Sequence, residues 1–211
     1  MSGKLVLFDL DGTLINSLED IANALNMTRK DAGLPDLDLE TVRLAVGNGA
    51  DLLITRTIPE NALSHADAVT LFKKHYTANS SVMTRLYPGV KDGLETLKNS
   101  GFILGVVSNK PTAACRKVLD EYGISCFFEV IIGGDSSYPL KPEPDALLAI
   151  KEKFSADTCI MCGDHYTDLE AGRRAGFTTI LAKYGFGDPR SEVPDTCADN
   201  FSGVVDFCQQ I

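Results

Sequence analysis

Short, uninterrupted apolar runs recur along this chain, and most stop at a small or acidic residue. Residues 4–8 run into Asp9-Leu10-Asp11-Gly12-Thr13, and residues 102–107 into Ser108-Asn109-Lys110. Residues 130–132 lead to Gly133-Gly134-Asp135, residues 159–162 to Gly163-Asp164, and residues 178–182 end near Lys183. A strand covered on both faces reads as such a run, because the crossover helices of a parallel sheet leave neither face wet. Between the runs the apolar spacing changes to three and four. Val90, Leu94 and Leu97 follow Pro88-Gly89, while Cys115, Val118, Leu119 and Tyr122 precede Gly123. Residues 145–154 and 167–175 also read as helices, the latter closed by Gly176. This spacing predicts helices, and a glycine just past the last turn supplies a left-handed C-terminal cap. Alternating strands and helices predict an α/β fold with a Rossmann-like parallel sheet. Ligands of such sheets bind beyond the carboxyl ends of the strands, where the polar residues just named fall.

Residues 17–83 break the alternation, since none of their apolar stretches reads as a strand. Ser17 is placed to cap a helix that carries Leu18, Ile21, Ala22 and Leu25 on one face. Helical patterns recur over 41–45, 50–55 and 61–76, and the acidic stretch 36–40 suits a helix N-terminus. The expected organisation is an α/β core of residues 1–16 and 84–211, interrupted by an all-helical cap of residues 17–83. Its hinges would fall near Asn16 and residues 85–88.

Composition narrows the function. With 211 residues, 44% of them hydrophobic, the chain can bury a substantial core. A formal net charge of -9 repels nucleic-acid phosphates, so no nucleic-acid partner is expected. Any phosphate site must bring its own local positive charge. The first apolar run is too short for a signal segment or a membrane span, so a cytoplasmic protein with reduced thiols and no membrane partner is expected. Cys159 and Cys162 have the C-x-x-C spacing of redox and metal sites. No second Cys/His pair stands near them, and they read as buried apolar positions of a strand. His65 and His75, on a cap helix, read as solvent-facing or packed.

The polar residues at the strand ends form one chemical set: Asp9, Asp11, Ser108, Lys141, Asp164 and Asp168. Two carboxylates about 4 Å apart repel by roughly 4 kcal/mol at an effective dielectric near 20. A divalent cation between them removes that cost, and oxygen ligands suit Mg²⁺. A carboxylate nucleophile can split phosphate-ester hydrolysis into two easier steps. A lysine, a serine hydroxyl and backbone N–H groups can hold the phosphoryl oxygens. A second carboxylate can protonate the leaving alkoxide and then activate water.

Asp9-Leu10-Asp11-Gly12-Thr13-Leu14 resembles the D-x-D-G-T-L/V motif of the haloacid dehalogenase-like hydrolase superfamily. Ser108 closes a strand as the second motif of that superfamily does. Lys141 in Leu140-Lys141-Pro142-Glu143-Pro144 resembles the third, and Gly163-Asp164-His165-Tyr166-Thr167-Asp168 the fourth, G-D-x-x-x-D. The resemblance extends through Tyr87-Pro88-Gly89-Val90 and residues 171–177. It implies that Asp9 is nucleophile and metal ligand, and that Asp11 is general acid/base with its carbonyl on the metal. Asp164 is the main further Mg²⁺ ligand, and Asp168 supports the metal shell or orients Lys141. Ser108 and Lys141, with Thr13 and Asn109, bind phosphate. The presence of Asp11 points away from dehalogenation. His165 departs from the usual Ser or Thr after the fourth-motif aspartate.

The helical insertion resembles the mobile cap of one branch of the superfamily. Val46-Gly47-Asn48-Gly49-Ala50 with Ser108-Asn109-Lys110-Pro111 resembles the phosphoglycolate phosphatases. A small phosphorylated metabolite is the implied substrate, with Asn48, Arg43 and Arg56 as candidates for its non-phosphate end, on a monomer or homodimer. Other readings stay open: a sugar phosphomutase, a phosphonate hydrolase needing a cap lysine such as Lys30, or a phosphorylatable regulatory module.

Overall fold

The computed structural model describes residues 3–211. Strand β1 (Gly3–Phe8) runs into a short strand β2 (Ile15–Asn16). Four helices follow: α1 (Leu18–Asp31), α2 (Leu39–Ala45), α3 (Ala50–Thr57) and α4 (His65–Asn79). Strand β3 (Arg85–Leu86) returns to pair antiparallel with β2, Ile15 opposite Leu86 and Asn16 opposite Arg85. The alternation then resumes: α5 (Val90–Asn99), β4 (Phe102–Val107), α6 (Thr112–Glu121), β5 (Val130–Ile132), α7 (Asp145–Phe154), β6 (Ala156–Gly163), α8 (Tyr166–Ala175) and β7 (Thr178–Ala182). The chain ends in β8 (Thr196–Ala198) and α9 (Phe201–Gln209).

Six strands form one sheet in the order β5-β4-β1-β6-β7-β8, every pairing parallel. Because side chains alternate along a strand, β1 feeds two cores. Val6 and Phe8 join Leu94, Leu104, Ile160 and Phe201 on one face, while Leu5 and Leu7 join Leu147 and Met161 on the other. Fully burying each such side chain contributes roughly 1.5–3 kcal/mol. Cys159 and Cys162 are three apart on β6 and fall into opposite cores, so they cannot share a metal or a disulfide.

Residues 18–79 hold a third apolar cluster of their own, with Leu18, Ile21, Leu25, Val42, Leu53 and Phe72. Helix bounds here follow the caps. Asp38 accepts a hydrogen bond from the Thr41 amide and starts α2 at Leu39, two residues before the pattern suggests. Ser64 accepts from Asp67 and starts α4 at His65 rather than at 61, because a turn on Pro59 occupies the residues between. Ser17 sits at the N-cap position of α1 but makes no capping bond; its hydroxyl turns to Asp11 instead. None of the helices among the described residues is long and apolar enough to cross a membrane.

Candidate active site

Sheet register gathers the site. Phe8 lies between Val106 of β4 and Cys162 of β6, so the chain leaves the sheet at Asp9, Ser108 and Asp164 along one edge. The Asp9 amide donates to the Cys162 carbonyl at 2.9 Å, and its Oδ1 accepts from Lys141 Nζ at 2.8 Å. Lys141 also reaches Asp168 Oδ1 at 2.6 Å and donates to the Val107 carbonyl at 2.5 Å. Asn109 pins the Lys141 loop: its Oδ1 accepts from the Lys141 amide at 2.9 Å and its Nδ2 donates to the Lys141 carbonyl at 3.0 Å. That Nδ2 also donates to the Gly47 carbonyl at 3.1 Å, tying in the α2–α3 loop.

Asp164 is cradled by glycines. Its Oδ2 accepts from the Phe186 and Gly187 amides at 3.1 and 2.7 Å. A Cβ at Gly12, where φ is +90°, would lie 1.8 Å from that oxygen, and one at Gly185 would lie 2.4 Å from the Asp164 Cβ. Only residues without side chains let the backbone approach so closely. Asp168 accepts from the His165 amide at 3.1 Å, and His165 accepts in turn through Nδ1 from the Thr167 amide, a reciprocal cap on α8. His165 therefore serves the helix that carries Asp168. Its ring packs against that of Tyr166 with centres 4.4 Å apart and planes tilted by 49°, and Gly47 presses so close that a Cβ there would sit 2.6 Å from it.

Asp11 faces another way. Lys110 Nζ donates to both its oxygens, at 2.7 and 2.9 Å, and the Ser17 hydroxyl donates to Oδ1 at 2.5 Å. Both its side-chain oxygens are thus taken up by Lys110 and Ser17, and Asp11 is not among the acids whose oxygens cluster within 4.8 Å of one another. Ser108 is buried at the cavity wall, with its Oγ accepting from the Lys110 amide at 3.4 Å. Thr13 is buried behind the turn, its Oγ1 lacking a hydrogen-bond partner among the described residues.

A cavity of about 230 Å³ opens over this floor, with Asp9, Asp11, Ser108, Lys141, Asp164 and Asp168 below and Ile21, Leu53, Phe72 and Tyr76 above. All three candidates from the helical segment are engaged elsewhere, and none of them lines this cavity. Asn48 donates to the Tyr166 hydroxyl at 2.7 Å. Arg56 donates to the Ala45 carbonyl at 3.0 Å and lines a separate cavity of about 350 Å³. Arg43 is paired with Glu40 and donates to the Phe186 carbonyl at 3.0 Å. Lys110, Tyr76, Phe186 and Gly187 also line the site. The sequence reading assigned them no role, although Lys110 lies two residues after Ser108.

Burial pushes the Asp9 carboxyl up to about 6; Lys141 offsets part of this and Asp168 adds to it. Burial also drives Asp164 well above the carboxylate range, with Asp168 and Asp9 adding to it. Burial works against charge on Lys141, but Asp168 and Asp9 overcome it and hold the ammonium above its ordinary pKa. Four carboxylates here face only two ammonium groups, Lys110 and Lys141. Oxygens of Asp9, Asp164 and Asp168 lie within 4.8 Å of one another. A divalent cation with oxygen ligands fits this geometry, and its charge would hold these acids ionised against their burial.

Known proteins resemble this chain in sequence and fold. The family described as haloacid dehalogenase-like hydrolase matches residues 6–182. Phosphoglycolate phosphatase of Aquifex aeolicus is 39% identical over 204 residues, covering 96% of this chain and 95% of its own. The enzyme of that name from Vibrio cholerae is 37% identical over 216 residues, covering 96% of each chain. A crystal structure described as a predicted phosphoglycolate phosphatase from Haemophilus somnus superposes with a TM-score of 0.91 at 33% identity, covering 98% of both chains. With the fold, the four motifs and these matches in agreement, the chain belongs to the haloacid dehalogenase-like hydrolases.

Proposed function

We propose that this protein is a Mg²⁺-dependent phosphatase that hydrolyses a small phosphorylated metabolite of the phosphoglycolate kind through an aspartyl-phosphate on Asp9. The observation that carries this reading is the placement of Asp9: at the tip of the central strand, 2.8 Å from Lys141, on the floor of a cavity roofed by the helical segment. Asp9, Asp164 and Asp168, with the Asp11 carbonyl, would hold Mg²⁺, which would offset the charge that keeps a carboxylate and a phosphate apart.

The remaining steps belong to side chains of the chain itself. Lys141 and Ser108 orient the phosphoryl oxygens. The Asp9 oxygen not held by Lys141 bonds to phosphorus as the bond to the leaving oxygen breaks. Asp11, which must enter this step protonated, gives that oxygen its proton and is left as the carboxylate, then takes a proton back from the water that cleaves the acyl phosphate. Phosphate departs and the Asp9 carboxylate is restored. The apolar roof limits the entry of other water. The relatives named phosphoglycolate phosphatase support the substrate class. Six free thiols accord with a reducing, cytoplasmic setting.

The test is phosphate release from phosphoglycolate and a panel of small esters, with and without Mg²⁺. Chelation should abolish turnover, and Asp9→Asn should lower kcat by at least about a thousandfold. Undiminished turnover by Asp9→Asn would rule the mechanism out. Conversion of a hexose 1-phosphate to its isomer without free phosphate would make the protein a mutase instead.

A further inference from the structure

Lys110 takes no part in the reaction as just described, yet it is among the best-held side chains of the site. Only 6% of the side chain is exposed. Its ammonium donates to Asp11 Oδ1 at 2.7 Å, to Asp11 Oδ2 at 2.9 Å and to the Tyr76 hydroxyl at 2.6 Å. A lysine has three donors and no acceptor, so its capacity is filled. The ammonium also lies 4.6 Å from the centre of the Tyr76 ring, whose electron-rich face attracts a cation.

The two partners come from different parts of the molecule. Lys110 follows β4 and is fixed to the sheet, while Tyr76 belongs to α4 of the helical segment and stacks on Phe72 with ring centres 5.9 Å apart. One unbroken line of contacts therefore runs from the roof of the cavity through an ammonium to Asp11. Ser17 also donates to Asp11 Oδ1, the oxygen it shares with Lys110. Lys110 is what fixes the second oxygen, and the Tyr76 hydroxyl is what fixes Lys110 from above.

We propose that Tyr76 and Lys110 are positioning residues that place Asp11 for proton transfer, so that this step runs at full rate only when the helical segment lies over the sheet. The proposal rests on the acid–base role given to Asp11 above. Without the Tyr76 hydroxyl, the ammonium has an unused donor in a buried place and shifts to satisfy it, taking the Asp11 carboxyl group off line for both giving and receiving its proton. A proton donor in the wrong place slows the departure of a poor leaving group and leaves a good one unaffected.

The experiment compares single-turnover release of two leaving groups. One is the alkoxide of phosphoglycolate, which needs a proton; the other is 4-nitrophenolate, which departs as the anion. Tyr76→Phe keeps the ring and its packing and removes only the hydroxyl. It should slow alkoxide release by about tenfold and change nitrophenolate release by less than about twofold. Lys110→Met should show the same asymmetry more strongly, and Lys110→Arg should recover part of it. Equal losses for both substrates, or no loss, would overturn the proposal. Asp11→Asn is the control that separates the two levels. If it slows the alkyl ester selectively while Tyr76→Phe does not, the positioning role falls and the acid–base role stands. If Asp11→Asn shows no selectivity, the reading of Asp11 fails and the relay fails with it.

Discussion

Asp9 meets opposing demands, and its titration exposes them. Burial and Asp168 raise its carboxyl to about 6 despite the Lys141 ammonium at 2.8 Å. A carboxyl whose folded pKa exceeds its unfolded value destabilises the fold as it ionises. The cost is absent below the unfolded value near 3.8, grows as pH rises towards 6, and is complete above it. Asp9→Asn should therefore melt higher than the parent protein at pH 7.5 without metal, by roughly 1–3 kcal/mol of stability, and the gain should vanish below about pH 4. Adding Mg²⁺ should narrow or reverse that gap, because the parent carboxylate gains a partner that the amide does not. Scanning calorimetry at three pH values, with and without the metal, measures both effects. Lys141→Met should act in the opposite direction. It strips the partner from Asp9 and Asp168, and losing one side of a buried ion pair costs about 3–5 kcal/mol. The acids and the lysine of this set were legible in the sequence because each closes a strand or falls within a motif. Lys110 and Tyr76 were not, since a lysine after a serine and a tyrosine on a helix carry no sign of a contact spanning 34 positions.

At the scale of elements, strands β1, β4, β5, β6 and β7 declared themselves as apolar runs and the core helices as three–four patterns, two of them closed by Gly123 and Gly176. Two pieces went unread. Strand β8 (Thr196–Ala198) is Thr-Cys-Ala and has no run of branched apolar residues to mark it, unlike the equally short β5. Helix α9 was within reach, for Phe201, Val204, Val205 and Cys208 have helical spacing and Asn200 caps it by accepting from Gly203. Its Phe201 meets Phe8 at 5.7 Å, and Gly93 of α5 leaves room for that ring. Phe201→Ala should cost about 3–5 kcal/mol in denaturant unfolding. Activity per folded molecule should be unchanged, because the ring lies in the core beneath the sheet and outside the cavity. The loop between α2 and α3 looked like a substrate contact in the sequence. Its Asn48 points to Tyr166, and its Gly47 seats against His165 with φ at +113°. Gly47→Ala must both strain that backbone and push the imidazole. It should lower kcat/KM by about ten- to a hundredfold with the fold intact, as read by steady-state kinetics beside circular dichroism.

For the whole molecule, charge and connectivity decide how substrate arrives. The net charge of -9 acts at long range, whereas Lys141, which would receive the phosphate, is buried. Screening should therefore help an anionic ester. Raising KCl from about 10 to 150 mM shortens the Debye length from roughly 30 to 8 Å, and at fixed Mg²⁺ it should raise kcat/KM by about twofold. A fall instead would mean that local fields at the mouth dominate. The alternation of strands and helices made the parallel sheet legible, and its absence over residues 17–83 made the insertion legible. How the two parts touch was not legible, because those contacts join residues far apart in the chain. The β2–β3 ladder has one more consequence. The polypeptide leaves this two-stranded ladder at Asn16 and re-enters it opposite, at Arg85, so the excursion starts and finishes at a single doorway. Joining two neighbouring ends needs only a short link and little loop-closure entropy. The helical segment could thus be exchanged for one of different size, changing which molecules are admitted while the strands that carry the acids keep their register.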